Sequence, residues 1–372
     1  MNTPPVGVGV VGAGFISDIY LTNLTRRFGH VRVVGVADII AERARAQANR
    51  YGVEAMTVDA LLAHPGVDIV VNLTIPQAHA EVAFAAVGAG KSVYNEKPLT
   101  QERAEADRLL AEADARGLLV GCAPDTFLGG GLQTARELVD RGAIGEPVAF
   151  RASMITRGHE LWHPNPDFYY RAGVGPMFDM GPYYITAIVA LLGPVRRVSS
   201  MARITFPERT ILSQPRHGET IRVETPTHIV AALELASGII GTLQTTFDLW
   251  DPEHAALVLY GTEGTLRLPD PNTFGGPLQL LRPGATTWED LPITHPWTEN
   301  SRGLGVADMA EALREGRAPR AGGELARHVL DVMHAAHESA IGRRAILLTT
   351  TAERPAPLAA SALQQAHRAE QA

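Results

Sequence analysis

The chain has a single cysteine, Cys122, among 372 residues, so no intramolecular disulfide can hold it together. That cysteine sits in an apolar run, Leu118 to Ala123, and reads as a small side chain in a buried strand. No Cys-x-x-Cys pair is present, and no metal is expected. Positive charge is in deficit. The 33 Lys and Arg against 40 Asp and Glu give a formal net charge of −7, which offers no general attraction to phosphate backbones or anionic lipid. Neither nucleic acid nor a membrane is therefore expected as a partner. No apolar stretch reaches the roughly 18 residues of a membrane-spanning helix, and the N-terminus shows no basic segment followed by an apolar one. The expected location is the cytoplasm. No internal repeat is visible.

What is present describes a soluble folded protein: hydrophobic residues at 45% and charged residues at 20%. At about 150 residues per domain, the length suggests two domains. Through the first third, short β-branched runs (Val6 to Val11, Val31 to Ala37, Asp68 to Leu73, Ser92 to Asn95, Leu118 to Cys122) alternate with helical patterns (Phe15 to Phe28, Ala41 to Tyr51, Ala78 to Gly88, Gln101 to Ala115). Gly29, Gly52 and Gly117 fall where helix C-caps belong. Strand then helix, repeated, predicts an α/β domain with a doubly wound parallel sheet over residues 1–124.

Beyond Pro124 a helix (Phe127 to Arg141) leads into longer β segments near Val148 to Ile155, Val195 to Phe206, Thr227 to Leu235, Ile239 to Thr246 and Ala255 to Leu259. The turn pairs Ser237-Gly238 and Glu263-Gly264 imply hairpins. Two late helices, Leu304 to Glu315 and Glu324 to Ile341, complete an α+β domain over residues 125–354 with an open, mostly antiparallel sheet. An uncovered sheet face predicts a homo-oligomer, a dimer or tetramer. Residues 355–372, rich in Pro, Ala and Gln, form a tail expected to fray.

The segment Gly12-Ala13-Gly14-Phe15-Ile16-Ser17 follows a predicted strand and opens a predicted helix, the placement of a Rossmann dinucleotide loop with Ser17 in the last glycine position. Gly12 permits the tight turn, Gly14 lets the backbone approach a pyrophosphate, and the helix start at Phe15 and Ile16 offers N–H donors. Asp38, at the end of the second strand, can accept both ribose hydroxyls of an adenosine. It is followed by Ile39 and Ile40 rather than an arginine, which favours NAD over NADP. Two further segments fall at carboxyl ends of parallel strands, where open α/β sheets bind ligands: Thr74-Ile75-Pro76-Gln77-Ala78-His79 and Asn95-Glu96-Lys97-Pro98. The Lys97 ammonium, on a stiff turn before Pro98, can hydrogen-bond a substrate hydroxyl and stabilise a developing alkoxide.

These segments, with the glycine-rich stretch Gly173-Val174-Gly175-Pro176-Met177-Phe178-Asp179-Met180-Gly181, resemble the glucose-fructose oxidoreductase and inositol dehydrogenase family, Gfo/Idh/MocA, over nearly the whole chain. The resemblance implies an NAD(P)-dependent enzyme acting on sugars or cyclitols. It implies Lys97 as the catalytic or orienting lysine, with Thr74, Pro76, His79 and Glu96 along the cofactor. Many family members carry Asp-x-Gly-x-His here, with Asp and His on the substrate hydroxyls, which implies a catalytic role for Asp179. This chain instead has Tyr183 where that histidine belongs. A phenol can relay a proton, but its ordinary pKa of about 10 calls for a nearby cation, a role Lys97 can fill. Alternatively, Tyr183 and Tyr184 pack on a helix entering the core.

The segment from Arg157 to Arg171, with His159, Trp162 and His163, reads as a wall or lid over a sugar, or as a rigid loop set by Pro164 and Pro166. Its cations make an anionic sugar an option. Asp125, just after the last strand of the first domain, is placed to touch either ligand. The leading expectation is an NAD-dependent oxidoreductase acting on a secondary hydroxyl of a sugar or glycoside. An alternative is an NAD-dependent glycoside hydrolase that oxidises the ring, eliminates the aglycone, adds water and re-reduces, as the sulfoquinovosidases resembling this family do. A third is a non-enzymatic sugar or NAD sensor, against which Lys97 and Asp179 speak.

Overall fold

Every side chain of β1 (Val6–Val11) is buried, as a parallel strand covered on both faces requires. In the computed structural model, which describes residues 4–360, the chain continues through α1 (Ser17–Arg26), β2 (Val31–Ala37), α2 (Ala41–Tyr51), β3 (Glu54–Met56), α3 (Val58–Ala63), β4 (Ile69–Asn72), α4 (His79–Gly88), β5 (Ser92–Asn95), α5 (Arg103–Asp114) and β6 (Val120–Cys122). The six strands form one parallel sheet in the order β3-β2-β1-β4-β5-β6. Strand order reverses between β1 and β4, so a crevice opens outside their carboxyl ends. The expected five strands all form. The pattern misses β3 and α3, because an edge strand of three largely exposed residues and a one-and-a-half-turn helix carry no apolar period. Gly52 and Gly117 adopt the left-handed conformation expected near helix ends, whereas α1 is closed by Arg27, ahead of Gly29.

The chain then forms α6 (Gly130–Asp140), β7 (Pro147–Ile155), α7 (Gly175–Leu192), β8 (Val195–Arg203), β9 (Glu208–Thr210), β10 (Thr220–Arg222), β11 (His228–Leu235), β12 (Ile240–Thr246), β13 (Leu257–Gly261), β14 (Gly264–Leu268), β15 (Leu278–Leu281), β16 (Glu289–Leu291), α8 (Leu304–Glu315), α9 (Gly323–Gly342) and β17 (Ile346–Leu347). A nine-stranded sheet runs β16-β15-β14-β13-β7-β12-β11-β8-β17. Its pairs are antiparallel except for β7 with β12. Ser237-Gly238 turns the hairpin β11–β12 as its composition predicts, whereas the β13–β14 hairpin turns one residue earlier than expected, at Thr262-Glu263, with Gly264 already paired in β14. Alternation along β11 buries Ile229, Ala231, Leu233 and Leu235 on one face, against which α7 packs.

Contacts divide the chain into one unit of Met1–Gly129, Glu299–Arg327 and Pro355–Ala372, and another of Gly130–Thr298 and His328–Arg354. The expected boundary after residue 124 therefore lies inside the first unit, which also takes back α8. The Asp125 carboxylate is the reason: one of its oxygens accepts the N–H groups of Gly303 and Gly305, 2.9 and 3.0 Å away, at the start of α8. Cys122 is buried in β6 as expected, and its N–H donates to the Ala321 carbonyl at 2.9 Å. The start of the expected tail is packed. Arg320 donates to the carbonyls of Ala356 and Pro357, and Leu358 is only 2% exposed. The rest of that tail, 361–372, lies outside the described residues. Among the described residues no helix is long and apolar enough to cross a membrane.

Candidate active site

The first unit gathers a dinucleotide cradle at the reversal of strand order. Gly12 has φ +102°, and a Cβ there would lie 2.6 Å from the Leu73 backbone, so no side chain fits the turn between β1 and α1. A Cβ on Gly14 would meet open space instead, on the side a ligand must approach. Ser17 takes the third glycine's place by burying its hydroxyl, which donates to the Gly14 carbonyl at 2.6 Å. No side chain caps the start of α1, which leaves its N–H groups for an anion. Phe15 is 99% exposed and Ile39 95%, which is unusual for large apolar side chains beside a cleft. Ile16 is half-buried.

Asp38 is locked in place: Oδ2 accepts the Ala13 N–H at 2.7 Å and Oδ1 the Ile40 N–H at 2.8 Å, and each oxygen keeps lone pairs for a hydroxyl. A cavity of about 850 Å³ runs past Ala13, Gly14, Phe15 and Ile16 to Arg43, Arg50 and Arg302. The arginines escape a reading by motif because they come from α2 and from the segment before α8. Asn23 fixes that segment by donating to the carbonyls of Asn300 and Arg302 at 3.0 and 2.8 Å. Open glycine backbone and three arginines line this cavity, Arg50 paired there with Asp18, and Asp38 is fixed on the Ala13 N–H beside it; the set fits a dinucleotide.

At the ends of β4 and β5, Asn72 and Asn95 face each other across the parallel pair. The Asn72 amide donates to Asn95 Oδ1 at 3.0 Å and accepts the Thr74 hydroxyl at 2.6 Å; the Asn95 amide donates to the Leu99 carbonyl at 2.8 Å and closes the turn that carries Lys97. Neither asparagine stands out in the sequence. The resemblance puts His79 along the cofactor, but its ring is fully buried, with Nδ1 2.6 Å from the Pro98 carbonyl and Nε2 3.2 Å from that of Thr74. Burial holds its pKa below the usual histidine range, so the neutral ring has one N–H to donate, and the shorter contact, to the Pro98 carbonyl, ties it to the Lys97 turn. Thr74 and Pro76 stay half-exposed above it. Glu96 also turns inward: Oε1 accepts the buried Tyr20 hydroxyl and Oε2 the Lys97 N–H, both at 2.9 Å. Lys97 itself is half-buried.

Asp125 is a correction. At 1% exposure its carboxylate is turned to the backbone donors at the start of α8 rather than to an open cleft, and burial pushes its carboxyl up to about 6. Tyr184 is another: fully packed within α7, its hydroxyl donates to Asp270 at 3.1 Å, and burial raises its pKa far above the usual phenol range. Helical spacing separates it from Asp179 and Tyr183, which lie four residues apart on a single face of α7.

In the second unit the segment from Arg157 to Arg171 folds into two 3-10 turns, His159–Leu161 and Pro166–Tyr170. Arg157 stacks over Phe206 and Trp250, 4.6 and 5.9 Å from the ring centres, and Trp162 is 63% exposed. His159 Nε2 lies 3.4 Å from Asp179 Oδ2, joining residues twenty apart in the sequence. The expectation of no metal passed over the His-Glu-x-x-His spacing of residues 159–163. A zinc site of that kind needs both imidazoles on one helical face. Here the turn ends at Leu161, His163 Nδ1 accepts the Asn165 N–H at 3.0 Å, and Glu160 is paired with Arg209 at 2.6 Å.

Comparison with known proteins agrees with this architecture. The family description "Oxidoreductase family, NAD-binding Rossmann fold" matches residues 6–123, and "GFO/IDH/MocA C-terminal domain" matches 132–267. A dTDP-3,4-didehydro-2,6-dideoxy-alpha-D-glucose 3-reductase of Streptomyces violaceoruber is 32% identical over 322 residues, 82% of this chain and 85% of that protein. Inositol 2-dehydrogenase 3 of Saccharopolyspora erythraea is 37% identical over 145 residues, 38% of this chain and 43% of its own. The fold is shared with a levoglucosan dehydrogenase solved with NADH, at TM-score 0.80 and 20% identity over 93% of this chain and 100% of that one. Cradle, sheet order and similarity over most of the chain agree: the chain belongs to the Gfo/Idh/MocA family of NAD-binding oxidoreductases.

Proposed function

We propose that the protein interconverts a secondary hydroxyl and a ketone on a sugar or glycoside, using NAD. The observation that carries this reading is the clamped turn at the end of β5, where Asn95, Glu96 and His79 together fix the backbone on either side of Lys97. A lysine held so firmly at the mouth of a dinucleotide sheet suits a reacting oxygen. The relatives named above act on sugars or cyclitols by their own names, which supports that substrate class. When bound, the nicotinamide accepts the hydride. In the first unit the Lys97 ammonium is suited to stabilise negative charge on a substrate oxygen; in the second, Asp179 and Tyr183, on one face of α7, are suited to orient a hydroxyl and relay its proton. Gly12, Gly14, Phe15, Ile16 and Asp38 hold the dinucleotide, with Thr74 and Pro76 along its edge. His159, Trp162 and His163 wall the sugar.

The open face of the nine-stranded sheet shows Met201, Val230 and Ile240 on β8, β11 and β12, with Met201 and Val230 directly paired. We read this as the surface that a second copy covers. Light scattering over a concentration series tests it, and a persistent monomer refutes it.

A panel of sugars and chromogenic glycosides, followed by reduced-cofactor absorbance and by aglycone release, tests the activity. One reduced nicotinamide per sugar, with glycosidic bonds intact, is the expected result. Aglycone release with no net reduced cofactor, and deuterium entering the ring beside the oxidised carbon, would mark a redox-neutral hydrolase instead.

A further inference from the structure

The family's usual histidine is absent from α7, and the phenol that replaces it, Tyr183, ordinarily keeps its proton at neutral pH. An imidazole nevertheless reaches the same helix from elsewhere. His159 Nε2 lies 3.4 Å from Asp179 Oδ2, the distance of an ion pair rather than a tight hydrogen bond, and the two side chains are 11% and 13% exposed. The ring is held flat against Tyr169, with centres 3.8 Å apart and planes 12° apart, and Phe247 meets it edge-on at 4.7 Å.

The turn that delivers this imidazole is fastened by buried charge. Arg209 bonds Glu160 at 2.6 Å, the Arg157 carbonyl at 3.1 Å and the Asp248 carboxylate. The Tyr170 hydroxyl donates to Glu160 and accepts the His159 N–H at 3.1 Å, and Thr227 donates to Asp248 at 2.8 Å. Gly158, with φ +113°, admits no side chain, since a Cβ would collide with Glu160, Tyr170 and Arg209. Apolar packing of equal volume would hold a loop at lower desolvation cost than buried ions do. What the network adds is a fixed position for the residue next to Gly158, which is His159.

We infer that His159 and Asp179 act as one coupled acid–base pair that takes up the proton released as the substrate hydroxyl becomes a ketone. This rests on the oxidoreductase reading above. The carbinol C–H leaves as hydride to the nicotinamide, the O–H proton arrives at the edge shared by Nε2 and Oδ2, and the C–O bond becomes a carbonyl. In the reverse direction the same edge returns the proton. The titratable and charged groups around the imidazole are Asp179 from α7, Tyr169 and Tyr170 from the second 3-10 turn, His163 beyond Tyr169, Glu160 on its own turn, Arg209 from β9 and Asp248 after β12. Arg209 is already committed to Glu160 and Asp248, and Asp179 is the carboxylate at ion-pair distance from the imidazole.

The test is NMR titration of histidine-labelled, NAD-loaded protein, with His159 assigned through H159Q, alongside steady-state pH profiles. Asp179→Asn is expected to lower the His159 midpoint by about one unit or more, because an adjacent carboxylate favours the imidazolium. The acidic limb of the kcat/KM profile is expected to move with it. His159→Gln is expected to lower kcat about 10²-fold, with the sugar KM within about threefold and that limb lost. A His159 midpoint that ignores Asp179→Asn overturns the pair, and so does a raised KM at unchanged kcat. If His159→Gln melts early, the Asp179→Asn midpoint decides the question alone. A midpoint shift without any sugar oxidation would place the failure in the oxidoreductase reading; oxidation without the shift would place it in the pair.

Discussion

The two units build their candidate residues in opposite ways. In the first unit, the residues proposed to hold the dinucleotide are near neighbours in sequence, and Gly12 to Ser17 alone supply the turn, the open backbone and the helix start. In the second, His159 and Asp179 come from separate elements, and a buried network that involves β9, Thr227 and Asp248 keeps the histidine turn in place. A contiguous segment keeps its geometry wherever its flanking strand and helix form. A composite site exists only after the sheet has closed, so it is exposed to substitutions far from it.

Four changes probe that contrast. Lys97→Ala should have the largest effect, lowering turnover by roughly 10³-fold or more while NAD affinity in calorimetry stays near wild type, since the cradle lies on other turns. Lost NAD affinity with normal turnover of the bound complex would instead assign Lys97 to the dinucleotide cradle.

The second change uses Asp125, whose position by motif suggested a ligand and whose burial makes it a helix anchor. Its carboxyl is raised from 3.8 to about 6, so between those values the folded state binds more protons than the unfolded state and stability falls as pH rises. Asp125→Asn keeps an oxygen for Gly303 and Gly305 and cannot ionise. Relative to it, wild type should lose up to roughly 3 kcal/mol between pH 4 and pH 7 in urea unfolding. A difference independent of pH would show that the carboxyl is not perturbed.

Tyr183→Phe should cost about 10² in turnover if the phenol relays a proton. Activity within twofold would return Tyr183 to packing in α7. Asp38→Ser should have the smallest effect, narrowing the preference for NAD over NADP by about tenfold, because it removes a like charge beside a 2′-phosphate and leaves Arg43 along the cavity. Equal affinity of the wild type for both cofactors would show that Asp38 does not discriminate.

Much of the first unit was legible because period and punctuation are local. β1, β2, β5 and α2 form at the predicted bounds, and Gly12 makes the tight, positive-φ turn its place between strand and helix implies. The errors share one cause. Asp125, His79 and Tyr184 are polar residues in or beside motifs, and whether such a side chain meets a ligand or a buried backbone donor depends on what folds over it. For Asp125 that was α8, about 180 residues away. The arginines of the cavity and the asparagine pair beneath Lys97 went unnoticed for the same reason, since nothing in their own neighbourhoods marks them.

By itself, then, the sequence determined the strand and helix periods, the glycine turn, the acidic residue that ends β2 and the family to which these belong, because each depends on interactions within a few residues or on one repeating unit. Only the tertiary structure decided which carboxylates were consumed in anchoring, which histidine became a clamp and which one met Asp179. Those outcomes follow from desolvation. A polar group must find its partner among whatever chain segments close around it, and the pattern of neighbouring residues does not name those segments.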